Sequence, residues 1–335
     1  MKITMWSSRA LSLALAFSFA IALAGDSLAS SIHHHTGSLI KYSQKLGHEI
    51  DPSIMDWHGE NYPSDVDWKK SMISPTLEPN WMIADDFQDP FDLPVLTVRW
   101  WGSYFPDGQV QFRSPTGGPG DPVPVGPGME DGYLISFFDD MAGPRFDPAN
   151  PTTDYSRPRD LLGSYVIPFD KVRVEPTNYV GWDDHPIWKY EADLWAGHFE
   201  HPHPTDIARP DGFFQRPGER YWISIAAEVG HTIVEVPDPT GGGDSIWETV
   251  DTGKEALTHF WGWHTSPEAR YDVATMSRLH MPNNQWIYGP EWQPIQPQHG
   301  LWDMAFELLT IPEPSTLLLG LFGLVSLGSI SRVRP

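Results

Sequence analysis

The chain contains no cysteine. Disulfides, thiolate chemistry and cysteine-ligated metals are therefore excluded, and a domain of this sequence must be held together by burial. Basic residues are scarce: 22 Lys and Arg stand against 44 Asp and Glu, a formal net charge of −22. That balance argues against nucleic acid and anionic membrane as partners, since both attract basic surface. No Gly-x-Ser-x-Gly elbow occurs. The segment 114–128, SPTGGPGDPVPVGPG, lacks the Lys-Ser/Thr of a phosphate loop and reads as a long surface loop. Helical periodicity is missing too. Between the terminal segments no run of ten or more residues keeps apolar residues at i, i+3 and i+4.

What is abundant is aromatic side chain and turn residue: 16 Trp, 16 Phe and 11 Tyr, with 33 Pro and 29 Gly. Short runs rich in β-branched and aromatic residues alternate with Gly/Pro/Asp clusters, as at Trp81–Phe87, Leu93–Phe105, Gly132–Phe138 and Arg220–Val229. In YWISIAAEV, Tyr221, Ile223 and Ile225 fall on one side of a strand and Trp222 and Ser224 on the other. The expectation is an all-β chain, an antiparallel β-sandwich of jelly-roll type over 46–310, preceded by a flexible leader over 25–45.

The two ends differ from this middle. Lys2 and Arg9 precede an apolar run from Leu11 to Leu23, and Ala22-Leu23-Ala24 offers small residues for cleavage before Gly25. Residues 1–24 read as a signal peptide, with Ala22 and Ala24 at the cut. At the other end, Leu317–Ile330 is apolar and is closed by Arg332 and Arg334. Its 14 residues would cover roughly 21 Å as a helix against a hydrocarbon core of ~30 Å, a marginal anchor at about 315–330. Pro312 and Pro314 keep the segment before it extended.

Pro312-Glu313-Pro314-Ser315-Thr316, a short apolar helix and terminal arginines, in that order over 311–335, resemble the PEP-CTERM sorting signal. The resemblance implies the export machinery and an exosortase as partners. It also implies a transient hold in the inner membrane through the tail, cleavage near Pro312–Pro314, and release to the cell surface or matrix. The stretches KYSQ (41–44), WMIADDF (81–87), TVRWWGSY (97–104), YWISIAAE (221–228), FWGWHTS (260–266) and DMAFELLT (303–310) resemble an uncharacterised family of exported bacterial β-rich proteins that carry this tail. That likeness implies a single jelly-roll-like domain and assigns no catalytic residue.

Candidate sites follow from residue chemistry. Asp85-Asp86, Asp139-Asp140 and Asp183-Asp184 can offer oxygens to a structural Ca²⁺, although no calcium-loop motif is present. The plainer reading is that these acids end strands and bond local backbone. The run HFEHPHP gathers His198, Glu200, His201 and His203 in one stretch, whose plainer reading is a solvated loop. Trp101, Trp261, Trp263, Trp286 and Trp292 are candidates for a sugar-stacking platform, set against the reading that most tryptophans form the core of a disulfide-free domain. The function expected is a non-catalytic surface or matrix protein that binds extracellular polysaccharide. A secreted glycan hydrolase or lyase is the alternative, needing two carboxylates roughly 5–10 Å apart, for which nothing distinguishes Glu191, Asp193, Glu228 or Glu248. A structural envelope protein without a small ligand is the third reading.

Overall fold

A computed structural model describes residues 38–310 with interruptions, the longest at 47–60, 68–79 and 111–122. Both terminal segments lie outside the described residues, as do Trp286, Asp183, Asp184, His201 and His203. Ile40–Thr310 forms one compact unit. It is all-β: among the described residues the only helices are two 3₁₀ turns, Phe169–Lys171 and Leu194–Ala196.

Two large sheets carry the structure. The strands that matter are β1 (Leu39–Gln44), β2 (Asn80–Gln88), β3 (Thr97–Tyr104), β4 (Gly132–Met141), β5 (Arg157–Pro168), β6 (Arg173–Val180), β7 (Pro186–Asp193), β8 (His198–Glu200), β9 (Arg220–Val229), β10 (His231–Pro237), β11 (Ser245–Asp251), β12 (Trp261–Ser266), β13 (Thr275–His280) and β14 (Phe306–Thr310). The first sheet runs β1-β14-β3-β7-β6, with β12 also paired to β3. The second runs β8-β5-β4-β9, then the short strand Asp65–Asp67, then β2-β13. From β14 through β3 and β7 to β6, and between the named strands of the second sheet, pairing is antiparallel, except that Asp65–Asp67 runs parallel to the end of β9. Strand β10 and strand β11 form a separate hairpin.

The period-two pattern read in the sequence sets the faces. Tyr221, Ile223 and Ile225 of β9 join Tyr133, Ile135 and Phe137 of β4 in the main core, which also takes Val98 and Trp100 from the first sheet. The opposite face of the second sheet is buried as well: Leu134, Phe138, Trp222 and Ala226 form a second cluster with Trp292. Burial on both faces explains why β4 and β9 read as almost continuous apolar runs rather than as half-polar strands. Aromatic edges and faces fill the main core. Trp100 stacks on Tyr190 with ring centroids 5.5 Å apart, and Tyr133 meets Trp261 edge-on at 5.4 Å.

Two expectations are corrected here. The stretch 39–44, assigned to a flexible leader, is strand β1. Its Tyr42 ring packs on Phe306 at 5.3 Å and Gln44 donates to Asp303 at 2.9 Å, so the chain is ordered by partners far away in sequence. Trp101, as a candidate for a sugar-stacking platform, needs a ring face open to solvent. Trp101 is instead buried in a third cluster with Leu46, Ile187 and Ala305, because residues beyond the strand cover that face too. Gly102 beside it has a steric reason. A Cβ there would lie 2.4 Å from the Trp261 ring and 2.8 Å from the Gly262 carbonyl oxygen, so the close approach of β12 to β3 requires glycine.

Candidate functional site

The tryptophans picked out from the sequence form core, not surface. Trp261 and Trp263 are fully buried, Trp101 is 1% exposed and Trp292 is 5% exposed. A ring without an open face cannot stack on a sugar, so these four positions provide no platform. Trp263 donates its Nε1–H to the Ala305 carbonyl, and Trp292 packs edge-on against Phe138.

The two described acidic pairs, Asp85-Asp86 and Asp139-Asp140, are likewise engaged internally. Asp85 accepts the Asp86 N–H at 2.8 Å and the Met304 N–H at 2.6 Å, while Asp86 accepts the Asp272 N–H and lies 3.3 Å from Arg220 Nε. Burial, then the Asp303 charge, pushes both carboxyls well above the usual carboxylate range. Asp140 accepts from Ser156 at 2.7 Å and from Trp222 Nε1 at 2.9 Å, and Asp139 pairs with Arg159. Among the described residues no three His, Asp or Glu converge as metal ligands would. Where a cation would have to sit beside Asp139 or Asp86, an arginine stands instead. Glu191 belongs to a cross-strand ladder with Arg99 and Glu307, with Arg99 Nε 2.8 Å from Glu191.

A cleft appears elsewhere, and it is built by the chain leaving the second sheet. Strand β9 ends at Val229, and Gly230 adopts φ of +100°, a left-handed turn that glycine makes without strain. The β10–β11 hairpin then swings back over the sheet. Asp131 fixes both of its roots: one oxygen accepts the Gly230 N–H and the Thr252 hydroxyl, each at 2.8 Å, and the other lies 2.7 Å from Lys254 Nζ. Register pairs Glu235 with Trp247 across the hairpin. Ile233 is buried against the second core and Trp247 packs partly on it, whereas Val234, Ile246 and Val250 stay exposed.

Two adjoining hollows lie along this hairpin, of about 600 and 550 Å³, and both are bordered by Lys171, Glu235 and Trp247. The first extends over Asp131, Phe169 and Asp170. The second extends over Trp195, His198 and Phe199. Each volume falls in the range of about 300–1,000 Å³ typical of small-molecule sites. The two 3₁₀ turns place key side chains. In Leu194–Ala196, Leu194 is buried as the anchor and Trp195 projects outward, 44% exposed. In Phe169–Lys171, none of the three residues is buried, and Lys171 lies 4.0 Å from Asp170.

Protonation beneath the cleft is governed by burial. His198, whose ring centroid is 6.2 Å from that of Trp247, has its pKa lowered by desolvation, which favours the neutral imidazole. Glu200 on the same strand is raised by burial. Of the His and Glu residues in the HFEHPHP run, only these two are described, and they form no metal-ligand cluster with other described residues. Deeper still, Glu228 is 1% exposed and its carboxyl is pushed well up by burial and then by the charges of Glu200 and Asp131. His231 Nε2 lies 3.7 Å from it, and burial brings that imidazole down to about 4. Glu130, at the inner end of the first hollow, is enclosed by phenols: Oε1 accepts from Tyr133 at 2.8 Å and from Tyr104 at 2.9 Å.

Sequence reasoning missed Trp195 and Trp247. They are 52 positions apart, and only the hairpin brings them to one cleft. The one available signal was the alternation on either side of the loop VPDPTGGGD, which marks residues 231–251 as a hairpin with Trp247 near its tip.

Residues 40–309 match the profile of a family described as a domain of unknown function (DUF7901). No curated protein and no solved structure matches the chain.

Proposed function

The chain belongs to the DUF7901 family, and on that premise we propose that it is an exported surface or matrix protein that binds extracellular polysaccharide without cleaving it. The binding site is the cleft along the β10–β11 hairpin. The fold is a jelly-roll-type sandwich, and delivery runs through the N-terminal signal peptide and the PEP-CTERM tail, whose exosortase removes the segment after Pro312–Pro314.

The observation that carries the binding reading is the pair Trp195 and Trp247 on one hollow of about 550 Å³. An indole face stacks on the apolar face of a pyranose, and Lys171, Glu235 and His198 at the same walls bond its hydroxyls. An elongated cleft of two hollows suits a polymer better than a single sugar. Hydrolysis is less well supported. Asp131 is committed to the hairpin roots and Lys254, Glu130 faces a ring of phenols, and Glu228 is closed off from solvent.

The test is retention of the purified full chain on a panel of soluble and insoluble polysaccharides, followed by an assay for new reducing ends. Binding without new ends is expected. New ends would replace this reading by a glycan hydrolase, and a blank panel would leave a structural envelope protein. Delivery is tested separately on protein from cells that make an exosortase. Mass spectrometry of its C-terminus should show an end near Pro312–Pro314, and an intact Pro335 in the released protein would sink the sorting proposal.

A further inference from the structure

Lys41 lies on β1, the edge strand of the first sheet, and Asp89 follows the last residue of β2 in the second. Lys41 Nζ is 3.0 Å from Asp89 Oδ2, and the two side chains are 1% and 0% exposed. The amine also donates to the Leu93 carbonyl. Asp89 is held on both oxygens: Oδ2 accepts from Gln215 Nε2 at 2.7 Å and Oδ1 from the Phe91 N–H at 2.9 Å. Asp92, on the exposed side, is the other charge that acts on the amine.

A buried ion pair is a costly arrangement, because desolvating two charges offsets much of their attraction. Desolvation outweighs the neighbouring carboxylates here and lowers the Lys41 pKa, which favours the free amine, the nucleophilic form. Near-contact geometry supplies the rest. Oriented partners about 3–3.5 Å apart react as if at effective molarities of up to ~10⁵–10⁸ M.

We infer that Lys41 and Asp89 condense into an intramolecular isopeptide bond. Lys41 Nζ bonds to Asp89 Cγ as the Cγ–Oδ2 bond breaks. Two of the ammonium protons leave with Oδ2 as water, and no oxidant or co-reactant is needed. Gln215 donates to the departing oxygen, and the Phe91 N–H donates to the oxygen that stays and gathers negative charge in the tetrahedral intermediate. The product keeps partners already in place: its N–H faces the Leu93 carbonyl and its carbonyl oxygen faces the Phe91 N–H. Two buried charges disappear. The bond joins the edge of one sheet to the other, a covalent tie in a chain that has no cysteine for a disulfide.

Tryptic peptide mapping of the full-length wild-type chain tests this directly. The expected result is a linked peptide pair, lighter by one water than its two components, with no cleavage after Lys41. Fragmentation should place the link at Lys41 and Asp89. Free Lys41 and Asp89 peptides in full yield would overturn the inference, leaving a buried ion pair. Asp89→Ala should give only unlinked peptides. Because the wild-type map alone decides, a variant that fails to fold changes nothing.

Discussion

Trp247→Ala should lower polysaccharide affinity by roughly 30-fold while leaving the fold intact, whereas Trp263→Ala should destabilise the domain and leave the affinity of its folded form unchanged. The first figure takes a central aromatic anchor as worth about 2 kcal/mol on truncation, with 1.4 kcal/mol per tenfold. Trp247 is only partly buried and packs on the rim of the second core, so its loss should cost little more than about 1 kcal/mol of stability. Trp195, 44% exposed, should show the same loss of binding at still smaller cost. Trp263 is fully buried against Phe306 and bonded to Ala305. Removing it leaves a cavity and takes the indole donor from the Ala305 carbonyl, which keeps the Trp101 N–H at 3.3 Å; the loss is about 3–5 kcal/mol, which lowers the melting temperature by on the order of 10 °C. Binding isotherms and melting curves for Trp195→Ala, Trp247→Ala, Trp261→Ala and Trp263→Ala therefore sort into two groups. If the two core variants melt normally but lose binding, the cleft is the wrong place. If Trp195→Ala and Trp247→Ala bind as wild type, the cleft reading fails as well.

The same contrast shows what the sequence could reveal. Alternation in YWISIAAEV assigned faces to β9 correctly, because period two follows from backbone geometry alone. Whether the second face was open or covered is not a local property. Trp101 lost its surface to Leu46 and Ala305, more than 50 and 200 positions away, and Trp292 lost its own to Phe138. The two described acidic pairs, Asp85-Asp86 and Asp139-Asp140, gather no metal-ligand cluster for a related reason. Residue type announced oxygen ligands, but Arg159 and Arg220 arrive beside Asp139 and Asp86 only through strand pairing. Trp195 has no local signal, and the loop at 236–244 marks Trp247 as part of a hairpin without showing the cleft that the hairpin borders. The turn at Leu194 and the left-handed Gly230 bring them to it, and both act through tertiary placement. The strand content was legible, and the site was not.

Beneath the cleft, Glu228 and His231 should make opposite contributions to stability against pH, and single substitutions should expose each. Burial, then the charges of Glu200 and Asp131, raises the folded Glu228 carboxyl well above the ordinary 4.5. Folding therefore binds a proton above pH ~4.5, a contribution fully present at lower pH and lost as pH rises, at up to about 1.4 kcal/mol per pH unit. His231 is depressed from 6.5 to about 4, so below pH 6.5 the unfolded chain binds a proton that the folded one refuses. Its contribution is lost as pH falls from 6.5 towards 4, with the same limiting slope. Above about pH 4.5 the two slopes oppose each other, so wild type shows neither contribution alone. Glu228→Gln should gain stability relative to wild type as pH rises above ~4.5, and His231→Gln should gain relative to wild type as pH falls below ~6.5. Taking differences between variant and wild type removes the other shifted acids, Asp85, Asp86 and Glu130 among them. Urea denaturation from pH 4 to 8 reads both curves. A charged Glu228–His231 pair would reverse the sign of each difference, since the carboxyl would then be lowered and the imidazole raised. The 3.7 Å between Nε2 and Oε2 is too long for the charge-assisted hydrogen bond such a pair would form, and a neutral acid beside a neutral imidazole is the state that burial favours.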